Sequence, residues 1–142
     1  MKTPLPFIHI KSAKFPVLPG EDDELVNEGT YGKALAQYLE ARLTERSYKV
    51  DFICCEDWGW WMEIKGFPFV TGVCIYATAK LHESEELCIT VSPAPGRRWS
   101  WSQFTVVDTT ETVTELFSDL SDIFARDPEV TVLGFPEDYP LD

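Results

Sequence analysis

The sequence predicts an α+β domain: a mostly antiparallel sheet of roughly five to seven strands with two helices packed on one face. Two amphipathic stripes at helical spacing, Tyr31 to Leu43 and Val113 to Phe124, stand far apart in the chain. Between them run apolar or alternating segments punctuated by Gly, Pro and Asp, the pattern of consecutive strands. Strands bunched between two helices, rather than alternating with them, argue against βαβ units. With 142 residues, 44% hydrophobic and 25% charged, the chain reads as one domain over 1–142, its residues 134–142 an extended tail. A core of this size needs no disulfide or metal staple.

Each element has its own warrant. Leu5 to Lys11 reads as a short strand, with Pro4 and Pro6 suiting an edge. Pro16 and Pro19 forbid regular helix around Phe15–Gly20. The run Glu21-Asp22-Asp23-Glu24 then reads as a solvated loop. The first helix is predicted over 31–46, with Thr30 as N-cap and Arg42 and Arg46 at the negative end of its dipole. Alternation predicts a strand at 50–55, with Val50, Phe52 and Cys54 opposite an outward pair, Ile53 and Cys55. A turn at 56–59 leads into a return strand at 60–65, which turns Trp61 to the face away from the helices.

Phe69 to Ala79 is apolar on both parities, as in a central strand covered on two sides. Lys80 to Glu85 reads as a loop, and Leu87, Ile89 and Val91 as one face of the next strand. After breaks at Pro93 and Pro95-Gly96, Trp99 to Val107 resumes alternation, Trp99 and Trp101 facing away from Phe104 and Val106. Asp108-Thr109-Thr110-Glu111 resembles a capping box opening the second helix, which must end before Pro128. Val130 to Leu133 adds a last short strand.

Charge bounds the function. Twelve Lys and Arg against 24 Asp and Glu leave a formal charge of −12. Nucleic-acid binding and attraction to anionic membranes both need the opposite balance. No apolar run of about 18 residues is present to span a bilayer, and Met1-Lys2-Thr3-Pro4 lacks the apolar segment of a signal peptide. Cys54, Cys55, Cys74 and Cys88 form no CxxC pair and sit in strand-like stretches. They read as reduced, structural thiols in a cytoplasmic protein. With only His9 and His82 as imidazoles, far from any ligand-spaced pair, no metal site and no cofactor are expected. GxGxxG and GxxxxGK[ST] phosphate loops are absent.

Glu56-Asp57-Trp58-Gly59-Trp60-Trp61 is the most unusual segment. Carboxylates beside indoles suit a cationic ligand or a sugar; equally, Asp57 and Gly59 can shape a tight turn while the tryptophans fill the core. Arg97 and Arg98, next to Trp99, are the one basic cluster, placed either to read an anion or to pair with acids such as Glu56 or Asp57. An outward patch of Ile53, Trp61 and Trp99 or Trp101 is a further expectation, unless the 12–29 arm or the tail covers that face.

Pro19-Gly20-Glu21, then Asn27-x-Gly29-x-Tyr31-Gly32-Lys33-Ala34-Leu35, then Glu56-Asp57-Trp58-Gly59-Trp60 resembles a pattern in small bacterial proteins of unknown function, over roughly residues 15–65. The resemblance implies a bacterial cytosolic origin and carries no reaction. In composition the chain is also similar to immunity proteins that neutralise basic nuclease toxins. The expected function is a non-enzymatic module binding a cationic protein through Glu21, Asp22, Asp23 and Glu24 with Trp58 and Trp61. The alternative is a small-molecule or glycan site, with a hydrolase as its catalytic variant, built from Glu56, Asp57, Trp58, Arg97 and Arg98. A third expectation is a homodimer through open sheet faces centred on Trp61.

Overall fold

The computed structural model describes residues 5–141, so the reading of Met1–Pro4 lies outside the described residues. The fold is α+β. Six strands form one antiparallel sheet in the order β2-β3-β4-β5-β1-β8. They are β1 (Ile8–Lys11), β2 (Lys49–Glu56), β3 (Gly59–Lys65), β4 (Thr71–Tyr76), β5 (Glu86–Ser92) and β8 (Thr131–Gly134). A separate two-stranded ribbon holds β6 (Arg97–Ser100) and β7 (Thr105–Asp108). The helices are α1 (Lys33–Glu45), a single turn α2 (Leu81–Ser84) within the expected loop, and α3 (Thr110–Arg126).

Helices α1 and α3 bury their stripes on one face of the sheet. Leu35, Leu39 and Leu43 from α1 and Leu116, Leu120 and Phe124 from α3 are fully buried with Ile8, Ile10, Met62, Ile64, Ile75, Leu87 and Ile89. The seam between the helices is polar. Arg46 donates to Asp119 and Asp122 at 3.0 and 2.6 Å. Beyond the end of α3, Asp127 accepts from Lys14 Nζ at 2.7 Å and from the Tyr38 hydroxyl at 2.6 Å.

That last site has a pH signature. The Lys14 ammonium, then the Tyr38 hydroxyl, hold the Asp127 carboxyl down to about 2. A lowered folded-state pKa means that the stability is present above the ordinary carboxylate range and lost as pH falls toward about 2. The loss is up to about 2 kcal/mol. Urea unfolding near neutrality and near pH ~3 checks it: D127N should start less stable and fall less over that interval than the parent chain.

Five local expectations are corrected. The acidic run is a 3₁₀ turn in which Asp22, Asp23 and Glu24 are exposed as expected, but Glu21 is 1% exposed. Its Oε2 accepts the N–H groups of Gly32 and Lys33 at 3.0 and 3.2 Å, and Oε1 that of Leu18 at 3.0 Å. The cap of α1 therefore comes from eleven residues upstream, and Thr30 instead donates to Asn27 O. On β2, the register passes from Val50↔Ile64 to Phe52↔Glu63, so Asp51 is bulged. One extra residue inverts the phase: Ile53 and Cys55 join Val50 on the core side, and Phe52 and Cys54 face outward opposite Glu63 and Trp61.

The third correction concerns 99–107, which folds back on itself and does not extend as one strand. Ser100 Oγ accepts the Gln103 N–H at 3.3 Å and donates to Pro68 O, and Phe104 adopts φ 52°. The reversal brings the Trp99, Trp101 and Phe104 rings into mutual contact instead of onto opposite faces. Fourth, the apolar stretch 69–79 yields a shorter central strand, β4. Fifth, at the start of α3 the N-cap is Thr109, without a side-chain cap hydrogen bond. Asp108 Oδ1 accepts the Thr110 N–H at 2.9 Å from one residue further upstream, so the helix opens differently from the expected capping box.

Candidate binding surface

The β2–β3 turn builds one pole of the molecule. Gly59 is required there: a Cβ would lie 2.2 Å from Ile75 O. Asn27 Nδ2 donates to Asp57 O at 2.6 Å, tying the segment before α1 to the turn. The three indoles leave this hairpin in three directions. Trp60 is buried and donates to Thr30 O at 3.0 Å. Trp61 lies across the open face over Gly72, its Nε1 donating to Glu63 at 3.3 Å. Trp58, 37% exposed, packs on Tyr76 at 5.3 Å.

Tyr76 is the hub of an aromatic group. Phe7 and Tyr139 meet it at 5.8 and 5.6 Å and meet each other at 5.8 Å. Tyr139 belongs to the tail, which first runs beside the residue before β1, Pro136 O accepting the Phe7 N–H. The tail thus covers one end of the face opposite the helices, while Phe52 stays exposed. Acids flank this group: Glu56 and Asp57 in the turn, Glu28 beside Asn27, and Glu137 and Asp138 beside Tyr139. Among the described residues none of these five makes an ion pair.

The other acids of the predicted site differ. Glu21 is turned inward as the α1 cap, so it is no part of an accessible surface. Asp22 accepts the Tyr31 hydroxyl at 2.7 Å, Glu24 pairs with Lys33, and Asp23 is exposed.

The arginines lie elsewhere. Glu63 to Val70 and Arg98 to Ser102 border one groove, so β6 stands by the β3–β4 loop. That is the opposite end of β3 from Asp57, about 20 Å away at ~3.3 Å per residue. Arg97 and Arg98 form no pair with Glu56 or Asp57. The expected ligand site combining Glu56, Asp57 and Trp58 with both arginines is therefore not assembled. Nor is the Ile53–Trp61–Trp99 patch, because the bulge sends Ile53 into the core.

Sequence reasoning missed Tyr76 and Tyr139, which alternation and tail composition leave unremarkable. It also missed a grouping on the covered face. His9 stands opposite Cys88 across the β1–β5 ladder, and its Nε2 lies 2.7 Å from Glu86 Oε1. These are the residue types of a thiol nucleophile, base and orienting acid. Burial, however, pushes the Cys88 thiol up to about 12, and Cys54 and Cys74 to about 11, Glu56 adding to the rise at Cys54. Iodoacetamide at neutral pH should leave Cys74 and Cys88 of the folded chain unlabelled by intact mass, and label all four cysteines in denaturant. Fast selective labelling of Cys88 would contradict a buried, protonated thiol.

Among the described residues no helix is long and apolar enough to cross a membrane, and no three His, Cys, Asp or Glu side chains are placed to hold a metal ion. Comparison with family models, curated proteins and solved structures found no match.

Proposed function

We propose that this chain is a non-enzymatic interaction module of the bacterial cytoplasm that binds a cationic protein at the β2–β3 pole, in the manner of an immunity protein meeting a basic toxin. The carrying observation is the Trp58–Tyr76–Tyr139 group flanked by Glu28, Glu56, Asp57, Glu137 and Asp138, acids without ion-pair partners among the described residues. The net charge of −12 speeds encounter with a basic surface, by a factor of about 10–10³ where the fields are complementary. Trp58 and Tyr139 then offer ring faces to Lys and Arg side chains and apolar area to what lies between them. Asp22 and Asp23 extend the negative field along the chain before α1.

The ligand-pocket alternative has less support, since the three indoles of the segment diverge and do not line one cavity. Capture from lysate at low and then high salt, using the tagged chain and an E56K/D57K variant, tests the reading. A stoichiometric basic protein released by salt and lost with the variant is the expected result. An affinity indifferent to salt, or to the variant and to W58S, overturns it.

A further inference from the structure

We propose that the groove between the β6–β7 ribbon and the β3–β4 loop is a two-fold interface between two copies of this chain. The groove encloses about 640 Å³ and has Phe67, Phe69, Val70, Trp99 and Trp101 on its walls. Beside it is a concentration of exposed apolar side chains: Trp101 is 80%, Phe104 73% and Val70 67% accessible. The three rings of the ribbon touch one another, with centroids 5.3 to 6.4 Å apart. Exposed rings clustered on a held ribbon mark a contact surface.

The ribbon is held at both ends. Ser100 at its turn donates to Pro68 O, and the buried Thr109 hydroxyl at its base donates to Ala94 O at 3.0 Å. Its rings are therefore presented in a fixed arrangement, which lowers the ordering cost of association.

Charge selects the occupant. Glu63 and Arg98 border the same groove, and neither makes an ion pair among the described residues. Lys65, the other cation there, is already paired with Asp51 at 3.6 Å. A groove carrying one unpaired acid and one unpaired base is complementary to itself. In a two-fold contact Arg98 of each copy meets Glu63 of the other, so both pairs form at once and the assembly closes. At ~200 Å² per aromatic side chain, the exposed fractions of Trp99, Trp101 and Phe104 supply roughly 400 Å² per copy, about half of a standard interface before Val70 and the arginine stems are counted. This surface is distinct from the acidic pole and leaves it free. It also replaces the expected Trp61-centred dimer, whose face is partly covered by the tail.

Sedimentation equilibrium on the full chain, from micromolar to near-millimolar and with salt enough to screen repulsion between acidic copies, tests it. The parent chain should be a reversible dimer. R98E and E63R alone each place like charges across both contacts and should weaken it by at least about tenfold. An equimolar mixture of R98E with E63R should restore dimerisation, because every contact then joins opposite charges. A pair made within one chain cannot be restored by mixing. W101S, a change at a largely exposed side chain, should weaken the dimer independently of how well E63R folds. A parent chain monomeric at every concentration overturns the proposal and hands the rings to another occupant, a glycan or a lipid surface. Dimers indifferent to R98E and W101S overturn it as well. Capture of a cationic protein by R98E reads the acidic pole separately, so either proposal can fail alone.

Discussion

Replacing Glu21 by alanine is expected to destabilise the folded chain by about 2–4 kcal/mol, although the sequence presents this residue as one of four interchangeable surface acids. Its carboxylate receives three backbone N–H groups, two of them at the start of α1. Those donors are left over by helix geometry and have no intrahelical acceptor. The negative charge also sits at the positive end of the helix dipole. Alanine removes all of this and leaves N–H groups in a closed site. Urea unfolding should show a lower midpoint with an unchanged slope. D23A, at the exposed neighbour, should stay within about 0.5 kcal/mol. Equal effects from the two variants would refute the assignment of Glu21 as the cap.

G72A is expected to cost about 3–4 kcal/mol. The added Cβ would stand 2.1 Å from Met62 O and 2.8 to 2.9 Å from the Trp61 ring. The indole can swing away, but the carbonyl belongs to the β3 backbone, held between β2 and β4. Relief by a second change is therefore partial: W61A in the G72A background should recover the ring's share and not the carbonyl's. A double-mutant cycle on thermal unfolding separates the two. Full recovery would place the strain in the side chain alone, and a neutral G72A would show that β3 and β4 do not approach as described.

The parts of this fold visible in the sequence are those set by periodicity. Val113, Leu116, Leu120, Ile123 and Phe124 fall on the buried side of α3, and Trp60, Met62 and Ile64 on the buried side of β3. What escaped depends on single residues acting at a distance or out of phase. No periodic pattern marks Asp51 as a bulge, and a one-residue bulge is enough to exchange the two faces of β2 beyond it. Glu21 caps a helix across a loop of ten residues with Gly29 in it, a contact that only tertiary structure creates. Ser100 and Phe104 preserve an alternating pattern while reversing the chain.

The candidate surfaces follow the same division. Trp58 and Asp57 stand out in sequence because their residue types are unusual together, and the structure puts them on one turn. Tyr139 joins them only because the tail, after pairing with Phe7, brings its ring onto Phe7 and Tyr76. Arg98 and Trp99 stand out in the sequence as a basic and aromatic pair, but their neighbours Phe67, Val70 and Glu63 come from a different hairpin. Sequence adjacency had suggested partners that β3, by its length, keeps apart.

The position of β1 governs how the sheet can be assembled. Strands β2 to β5 follow one another and pair in chain order, whereas Ile8 must wait for Ile89 and Ile10 for Val132. At translation rates of about 5–20 residues per second, β1 leaves the ribosome several seconds before its first neighbour is made. The four-strand meander can meanwhile close against α1 by short-range contacts, and the slot beside β5 fills late. Loops that join distant strands slow folding more than they lower stability. Pulse-labelled amide exchange should therefore find β3 and β4 protected early, and β1 and β8 acquiring protection together in a later step.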